Sequence, residues 1–216
     1  MRILHDISLR LGEQTVVYPG DPQFRRDVPA TIDQAGCEFS TLEMGAHSGT
    51  HIDAPAHFIE GGKRLDAFDP SRFVVPAVVV DLPGRDVVGP DDLADIELPA
   101  GGAILCKTDN SHTGLAGSGR YSRQYTHLSA EAAEACVAMG ASLVGIDYLS
   151  VDPLAGDHVA HRILMAAEVL ILENIDLAAV QPGLYTLLCP PLAIPSAEAC
   201  PVRALLGEAD WSVRSH

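Results

Sequence analysis

Four side chains that can bind a metal lie close together in one short segment of the chain, residues 47–57. They are three histidines and one aspartate, all at odd positions: His47, His51, Asp53 and His57. Such side chains share one face of an extended strand. A fully extended path would span roughly 33 Å, whereas metal–ligand bonds are about 2.1 Å long. The chain must therefore bend, and Gly49 and Pro55 can bend it because of their unusual backbone properties.

Imidazole and carboxylate groups together are the ligands that a borderline divalent metal prefers. A lone histidine is more commonly a hydrogen-bonded core or surface residue, but four such groups in one segment predict a metal site. His51 and Asp53, two residues apart, are the central pair. Zinc is the expected metal and manganese the alternative, and the pattern leaves open whether one ion or two are bound.

The string H-x-G-T-H-x-D-x-P-x-H in this segment resembles the signature of the cyclase-like metal hydrolases, the family of bacterial kynurenine formamidases and isatin hydrolases. Further segments resemble the family in the same order between about residues 3 and 206: Asp6-Ile7-Ser8, Tyr18-Pro19-Gly20-Asp21-Pro22, Gly145-Ile146-Asp147, Ser150-Val151-Asp152, Ala160-His161, Leu172-Glu173 and Pro201-Val202-Arg203-Ala204. The resemblance implies one mixed α/β domain over residues 1–216, with a barrel-like β core and assembly into homodimers or homotetramers.

The resemblance also implies roles for individual residues. His47, His51 and Asp53 would be metal ligands, with Asp53 bridging two ions in dinuclear members, and His57 would transfer protons. The ligands completing the site would be His161 and Glu173. The residues themselves predict a helix over 157–168 and a buried strand over 169–172 that ends at Glu173, where α/β proteins commonly place site residues. That pattern alone also allows other roles. His161 could be exposed to solvent on a helix face, and Glu173 could simply mark the end of the strand without binding a metal.

The family resemblance implies a hydrolase that cleaves a small amide with metal-activated water. The leading candidate substrate is the aryl formamide N-formylkynurenine, from tryptophan catabolism. Tyr18 stands where these formamidases usually have tryptophan; it keeps an aromatic face for substrate but adds a hydroxyl that needs a partner. A packing role for Tyr18 is the alternative. The difference leaves open a cyclic amide such as isatin, or a small lactone, ester or carbamate.

Two other classes of protein could use some of the same residues. His51, Asp53 and the distant His161 could imitate the two-histidine, one-carboxylate iron site of oxygenases, but the additional candidate ligands fit that site poorly, and those oxygenases typically have an all-β jelly roll. A metal-binding scaffold without catalysis is the non-enzyme alternative. The chain has neither a nucleotide-binding glycine motif nor a G-x-S-x-G nucleophile motif.

Composition limits the kinds of partner that this chain is expected to bind. The 216 residues are 47% hydrophobic, enough for one substantial core. A net charge of -15 opposes binding to nucleic acid, which requires clustered lysine and arginine. The five cysteines are scattered without a C-x-x-C pair and are expected to be reduced, mostly core thiols. Because no apolar run reaches the roughly 18 residues of a membrane span, we expect a cytoplasmic protein that acts on a small-molecule substrate.

Several elements outside the motif follow from local patterns. Strands are predicted over residues 74–81, 103–108 and 142–146. A helix is predicted over residues 130–139, capped by Ser129 and closed by Gly140. Residues 109–125 lack apolar periodicity and are predicted to be a long loop. The mixture indicates an α/β fold.

Overall fold

The computed structural model describes residues 1–12 and 15–209. The strands are β1 (Ile3–Asp6), β2 (Arg25–Ala30), β3 (Phe39–Glu43), β4 (His51–Asp53), β5 (Val74–Leu82), β6 (Val87–Val88), β7 (Ala103–Thr108), β8 (His127–Leu128), β9 (Leu143–Ile146), β10 (Leu170–Glu173), β11 (Gly183–Leu188), β12 (Ala199–Pro201) and β13 (Leu205–Gly207). The α-helices are α1 (Ile32–Ala35), α2 (Asp109–His112), α3 (Ala130–Ala138) and α4 (Val159–Ala166). Short 3-10 helices cover Pro55–His57, Leu65–Ala67, Pro70–Phe73 and Pro90–Leu93.

Nine strands form one mixed sheet in the order β1-β13-β11-β5-β7-β9-β10-β4-β12. The central strands β5, β7, β9 and β10 are parallel to their neighbours in this set, whereas the strands toward both edges pair antiparallel. Every residue of β7, β9 and β10 is buried. Parallel strands covered on both faces are expected to be continuously apolar. This explains why these strands could be predicted from apolar runs in the sequence.

The large sheet is curled rather than flat. β1 is one edge of the sheet and β10 lies near the other, yet the segments that follow them meet. The Asp176 amide donates to the Ile7 carbonyl at 2.8 Å, and Ser8 forms an isolated bridge with Ile175. The nine strands thus form a curled half-barrel, which confirms the mixed α/β class and the barrel-like β core.

The two faces of the sheet bury separate apolar clusters. The first cluster includes Leu105 and Ile52, while the second includes Ile104 and packs against residues of α3 and α4 such as Leu164. Side chains that alternate along one strand therefore enter different clusters. Residues adjacent to Ile52 in β4 point to the side of the sheet that carries α4.

Most of the locally predicted elements are confirmed. Strand β7 has the predicted bounds, and β5, β9 and β10 begin or end within one residue of the expected positions. The Ser129 side chain accepts a hydrogen bond from the Ala132 amide and begins α3 as predicted. One prediction needs correction: the expected loop over 109–125 begins with the short helix α2, because the Thr108 side chain accepts from the Asn110 amide and caps it.

Two expectations drawn from composition concern the cysteines and membrane-spanning segments. All five cysteines are free, and four of them are buried, with Cys37 exposed. Over residues 1–12 and 15–209, no helix combines the length and apolar character that crossing a bilayer requires.

Candidate metal centre

The segment of residues 47–57 bends at the two predicted positions. Gly49 has a φ of 64°, in the left-handed region that favours glycine. Strand β4 then covers only three residues before Pro55 begins the 3-10 helix Pro55–His57. These breaks fold the odd-numbered side chains toward one region instead of spreading them along a strand.

Strand pairing brings the second half of the chain to this segment. β4 lies between β10 and β12, and its antiparallel register with β10 places His51 opposite Glu173. His51 and Asp53 point away from the cluster that contains Ile52, toward the side covered by α4. Helix α4 contributes His161 from that side, so the site lies between the sheet and this helix.

The Asp53 carboxylate is the centre of the assembled group. Its Oδ1 lies 3.0 Å from His47 Nδ1 and 3.4 Å from His51 Nε2, and its Oδ2 lies 3.8 Å from His161 Nε2. The Glu173 oxygens lie 3.5 Å from His51 Nε2 and 3.3 Å from His161 Nε2. The structure therefore brings together all five side chains that were predicted as ligands.

Three of these donor atoms are buried without a hydrogen-bond partner among the described residues: His51 Nε2 and both oxygens of Asp53. Buried polar atoms are ordinarily paired, because leaving them unpaired costs free energy. Donor atoms bound to one ion at about 2.1 Å would lie about 3.0 to 3.4 Å apart in octahedral or tetrahedral geometry. The observed separations are close to that range, so these residues fit a divalent cation.

Hydrogen bonds on the far side of two imidazoles orient them toward the centre. His51 Nδ1 lies 2.8 Å from the Gly49 carbonyl oxygen, and His161 Nδ1 lies 2.6 Å from Asp152 Oδ2. Both rings thus direct Nε2 toward Asp53, in the arrangement that metal-binding histidines commonly adopt. Glu173 is held in the same way, since its Oε1 accepts from the Val151 amide at 2.8 Å.

Sequence reasoning assigned no role to Asp152. Its carboxylate also accepts hydrogen bonds from the amides of Ala160 and His161 at 2.8 and 2.9 Å, so it fixes the start of α4 as well as the imidazole. The contact joins residues nine apart across an irregular segment, where no helical or strand period relates them. Only the folded chain reveals that Asp152 supports His161.

The carboxylates of this cluster favour a positive charge between them. Burial opposes a charged imidazole at His161, but the hydrogen bond to Asp152 and the nearby carboxylates of Asp53 and Glu173 outweigh it and raise the pKa of His161 well above its usual value. Burial would likewise raise the pKa of Asp53, yet the neighbouring imidazoles, His51 first, hold the pKa well below its usual value. Buried carboxylates that stay ionised beside imidazole nitrogens suit a cation site.

Replacing Asp152 with asparagine should weaken metal binding by about 10- to 100-fold, because partners of this kind orient metal-binding histidines. Titration of metal-stripped protein with zinc measures the change. Asp157→Asn is the matched control, because Asp157 is an exposed aspartate in the same connection and its replacement should leave zinc affinity unchanged. An Asp152→Asn protein with wild-type affinity would show that the ring of His161 needs no such support.

His57 lies beside this group at the end of its 3-10 helix. Its ring centroid is 4.1 Å from that of His47 and 6.1 Å from that of His161. Burial first, then the neighbouring imidazoles, lower the pKa of His57 to about 4 against the opposing charge of Asp53, so the ring is neutral at pH 7. A second role is also possible for His57. One of its nitrogen atoms, one of His47 and an Asp53 oxygen lie within 4.8 Å of one another, so His57 is also placed to bind a metal.

A cavity of about 190 Å³ opens onto the cluster. Besides four of the five predicted ligands, it is lined by Tyr18, Asp21, His57, Phe58, Leu149, Ser150 and His158. The Tyr18 hydroxyl was expected to need a hydrogen-bond partner, and it donates to the Leu154 carbonyl at 2.9 Å. Its ring is left to line the cavity, and its contact with substrate stays a prediction. Sequence reasoning did not single out Phe58 or His158.

A curled mixed sheet that carries a buried histidine–carboxylate cluster beside an open cavity defines a single-domain α/β protein with a candidate metal centre. The chain belongs to the Cyclase family, described as putative cyclase, whose family model matches residues 5–153. This finding confirms the resemblance drawn from the sequence motif.

Individual relatives cover nearly the whole chain. A kynurenine formamidase of Bacillus cytotoxicus is 36% identical over 203 residues, covering 93% of this chain and 95% of the relative. A solved structure described as a potential metal-dependent hydrolase with cyclase activity superposes with a TM-score of 0.80 at 30% identity, covering 94% of this chain and 96% of its own. Isatin hydrolase A from Labrenzia aggregata has a TM-score of 0.82 at 22% identity, covering 95% and 93%, and shares the fold.

Proposed function

We propose that this protein is a metal-dependent hydrolase of small amides, with the aryl formamide N-formylkynurenine as its leading substrate. The observation that carries the proposal is the set of buried, unpartnered donor atoms on His51, which lines an open cavity, and on Asp53 directly behind it. The kynurenine formamidase and metal-dependent hydrolase relatives support the same reaction class. The mixed sheet, with its parallel centre, does not suit the all-β jelly roll considered for an iron oxygenase.

The proposed ligands are His47, His51, Asp53, His161 and Glu173, holding one or two divalent ions. Zinc is the proposed metal, and manganese is the alternative because similar ligands suit both. When bound, the metal supplies Lewis acidity toward the carbonyl and lowers the pKa of water.

The other proposed chemical role belongs to His57. Its neutral imidazole accepts a proton from the attacking water as the water oxygen bonds to the formyl carbon. The ring then returns the proton to the amide nitrogen while the C–N bond breaks, which yields an aryl amine and formic acid, and the acid releases its proton to solvent to become formate. The rings of Tyr18 and Phe58 line the cavity and suit an aryl group.

Metal removal tests the proposal. We expect protein stripped of metal to release no kynurenine from N-formylkynurenine, and restored zinc or manganese to recover release, with the better metal identified by comparing the two at full occupancy. A folded, fully metallated sample that releases nothing would overturn the formamidase assignment. Cyclic amides such as isatin, then lactones, esters and carbamates, would be the next substrates, and inertness toward all of them would favour a binding scaffold.

Assembly and location remain part of the proposal. We expect a homodimer or homotetramer, as the family resemblance implies, and a cytoplasmic location. Light scattering on the purified protein would give the number of copies.

A further inference from the structure

His158 is a cavity-lining side chain that the proposed chemistry leaves without a role. It lies immediately before α4 and lines the cavity together with Tyr18 and Phe58. Its side chain makes no hydrogen bond with any residue in the described ranges 1–12 and 15–209, and its Nδ1 is buried without a partner. Because buried polar atoms are ordinarily paired, a cavity residue of this kind calls for an explanation.

The backbone holds this imidazole in an unfavourable conformation. His158 has φ 50° and ψ 54°, in the left-handed region that a residue with a Cβ rarely adopts. Such conformations persist where the surrounding structure fixes them, and they cluster at binding sites. The ring centroid of His158 lies 5.1 Å from that of Phe58 and 6.4 Å from that of Tyr18, so neighbouring aromatic rings define its position.

Neither nitrogen of His158 has a hydrogen-bond partner in the described part of the chain, and of the two only Nδ1 is fully buried. In a neutral imidazole one nitrogen is a donor and the other an acceptor. The tautomer with its proton on Nε2 therefore offers a hydrogen-bond donor at the accessible nitrogen, where a ligand can reach it.

Apart from the Ser150 hydroxyl, whose oxygen accepts from the Asp152 amide at 3.2 Å, the cavity has few other side-chain donors for a substrate oxygen. Neither lysine nor arginine is among the described residues that line it. The Tyr18 hydroxyl already donates to the Leu154 carbonyl, and His57 is assigned to proton transfer. An oxygen near the scissile group of an aryl formamide would thus find an uncommitted donor at His158.

We propose that His158 is a specificity-determining residue whose Nε2–H binds a substrate oxygen adjacent to the scissile amide, such as a ketone ortho to the formamide on an aromatic ring. The inference rests on the proposed function and names the substrate class within it. His158 would then discriminate between aryl formamides that carry this oxygen and those that lack it.

A pair of substrates and a pair of variants test the inference. The substrates are 2-formamidoacetophenone, which carries the ortho ketone, and formanilide, which lacks it. In His158→Asn the side chain tolerates the left-handed backbone but is too short to place a donor where Nε2 lies. In His158→Gln the amide nitrogen reaches that position.

We expect His158→Asn to lower kcat/KM for the ketone about tenfold more than for formanilide, mainly through KM, and to leave metal content unchanged. His158→Gln should recover much of the loss. Unchanged ketone hydrolysis in His158→Asn would overturn the inference, and so would equal losses on both substrates, which would indicate a structural effect through α4. Metallated wild-type protein inert to both substrates would instead contradict the proposed function, and the inference would fall with it.

Discussion

Replacing Asp53 with asparagine is expected to lower bound metal to less than one-tenth of the wild-type content and to lower kcat/KM by about a thousandfold or more. Asp53 lies within 4 Å of three imidazoles, so the variant removes the charge shared by the whole donor group while keeping the side-chain shape. A bound metal contributes several kcal/mol of charge stabilisation, and about 4 kcal/mol corresponds to a factor of about a thousand in rate.

Elemental analysis of dialysed protein and steady-state hydrolysis measure the two effects of Asp53→Asn. Asp91→Asn is the matched control, since Asp91 is an exposed aspartate and its replacement should leave both quantities unchanged. Wild-type metal content in Asp53→Asn would place the metal elsewhere and contradict the donor set described above.

Replacing His57 with alanine is expected to lower kcat by about 100- to 10,000-fold, the usual contribution of a general acid–base group, while metal content stays near that of the wild-type protein. The pKa of His57, about 4, keeps its imidazole in the neutral form at neutral pH. Single-turnover hydrolysis with metal-saturated protein isolates the chemical step from binding.

Comparison with His51→Ala decides between the two roles that geometry allows for His57. His51 is buried and belongs to the central donor group, so its removal should release metal. Equal metal loss in the two variants would make His57 a ligand rather than a base. Retained metal with lost turnover would support the proton-transfer role.

The parts of the fold that could be predicted from the sequence are those with a strong local signal. Strands β7 and β10 are short apolar runs because both of their faces are covered, and α3 begins at a serine cap. The bend of residues 47–57 was predictable from reach alone, because side chains on an extended strand could not meet at one ion. These features depend on residues close together in the chain.

Other features depend on distant contacts or lack a pattern. β2 and β3 form a separate hairpin whose residues are nearly all exposed, so no alternation of apolar and polar residues marks it. β12 and β13 have three residues each. The roles of Asp152 and His158 depend on how the irregular chain before α4 folds back on the cluster, and no local period predicts that path.

The most direct test of the account is anomalous diffraction from crystals of zinc-loaded protein, recorded on both sides of the zinc absorption edge. The account predicts an anomalous peak within about 2.1 Å of donor atoms of Asp53, His51 and a second imidazole or Glu173, and a second peak shared through Asp53 if two ions bind. Zinc peaks only at other places, with these donors empty, would contradict the proposed metal centre and the hydrolysis built on it.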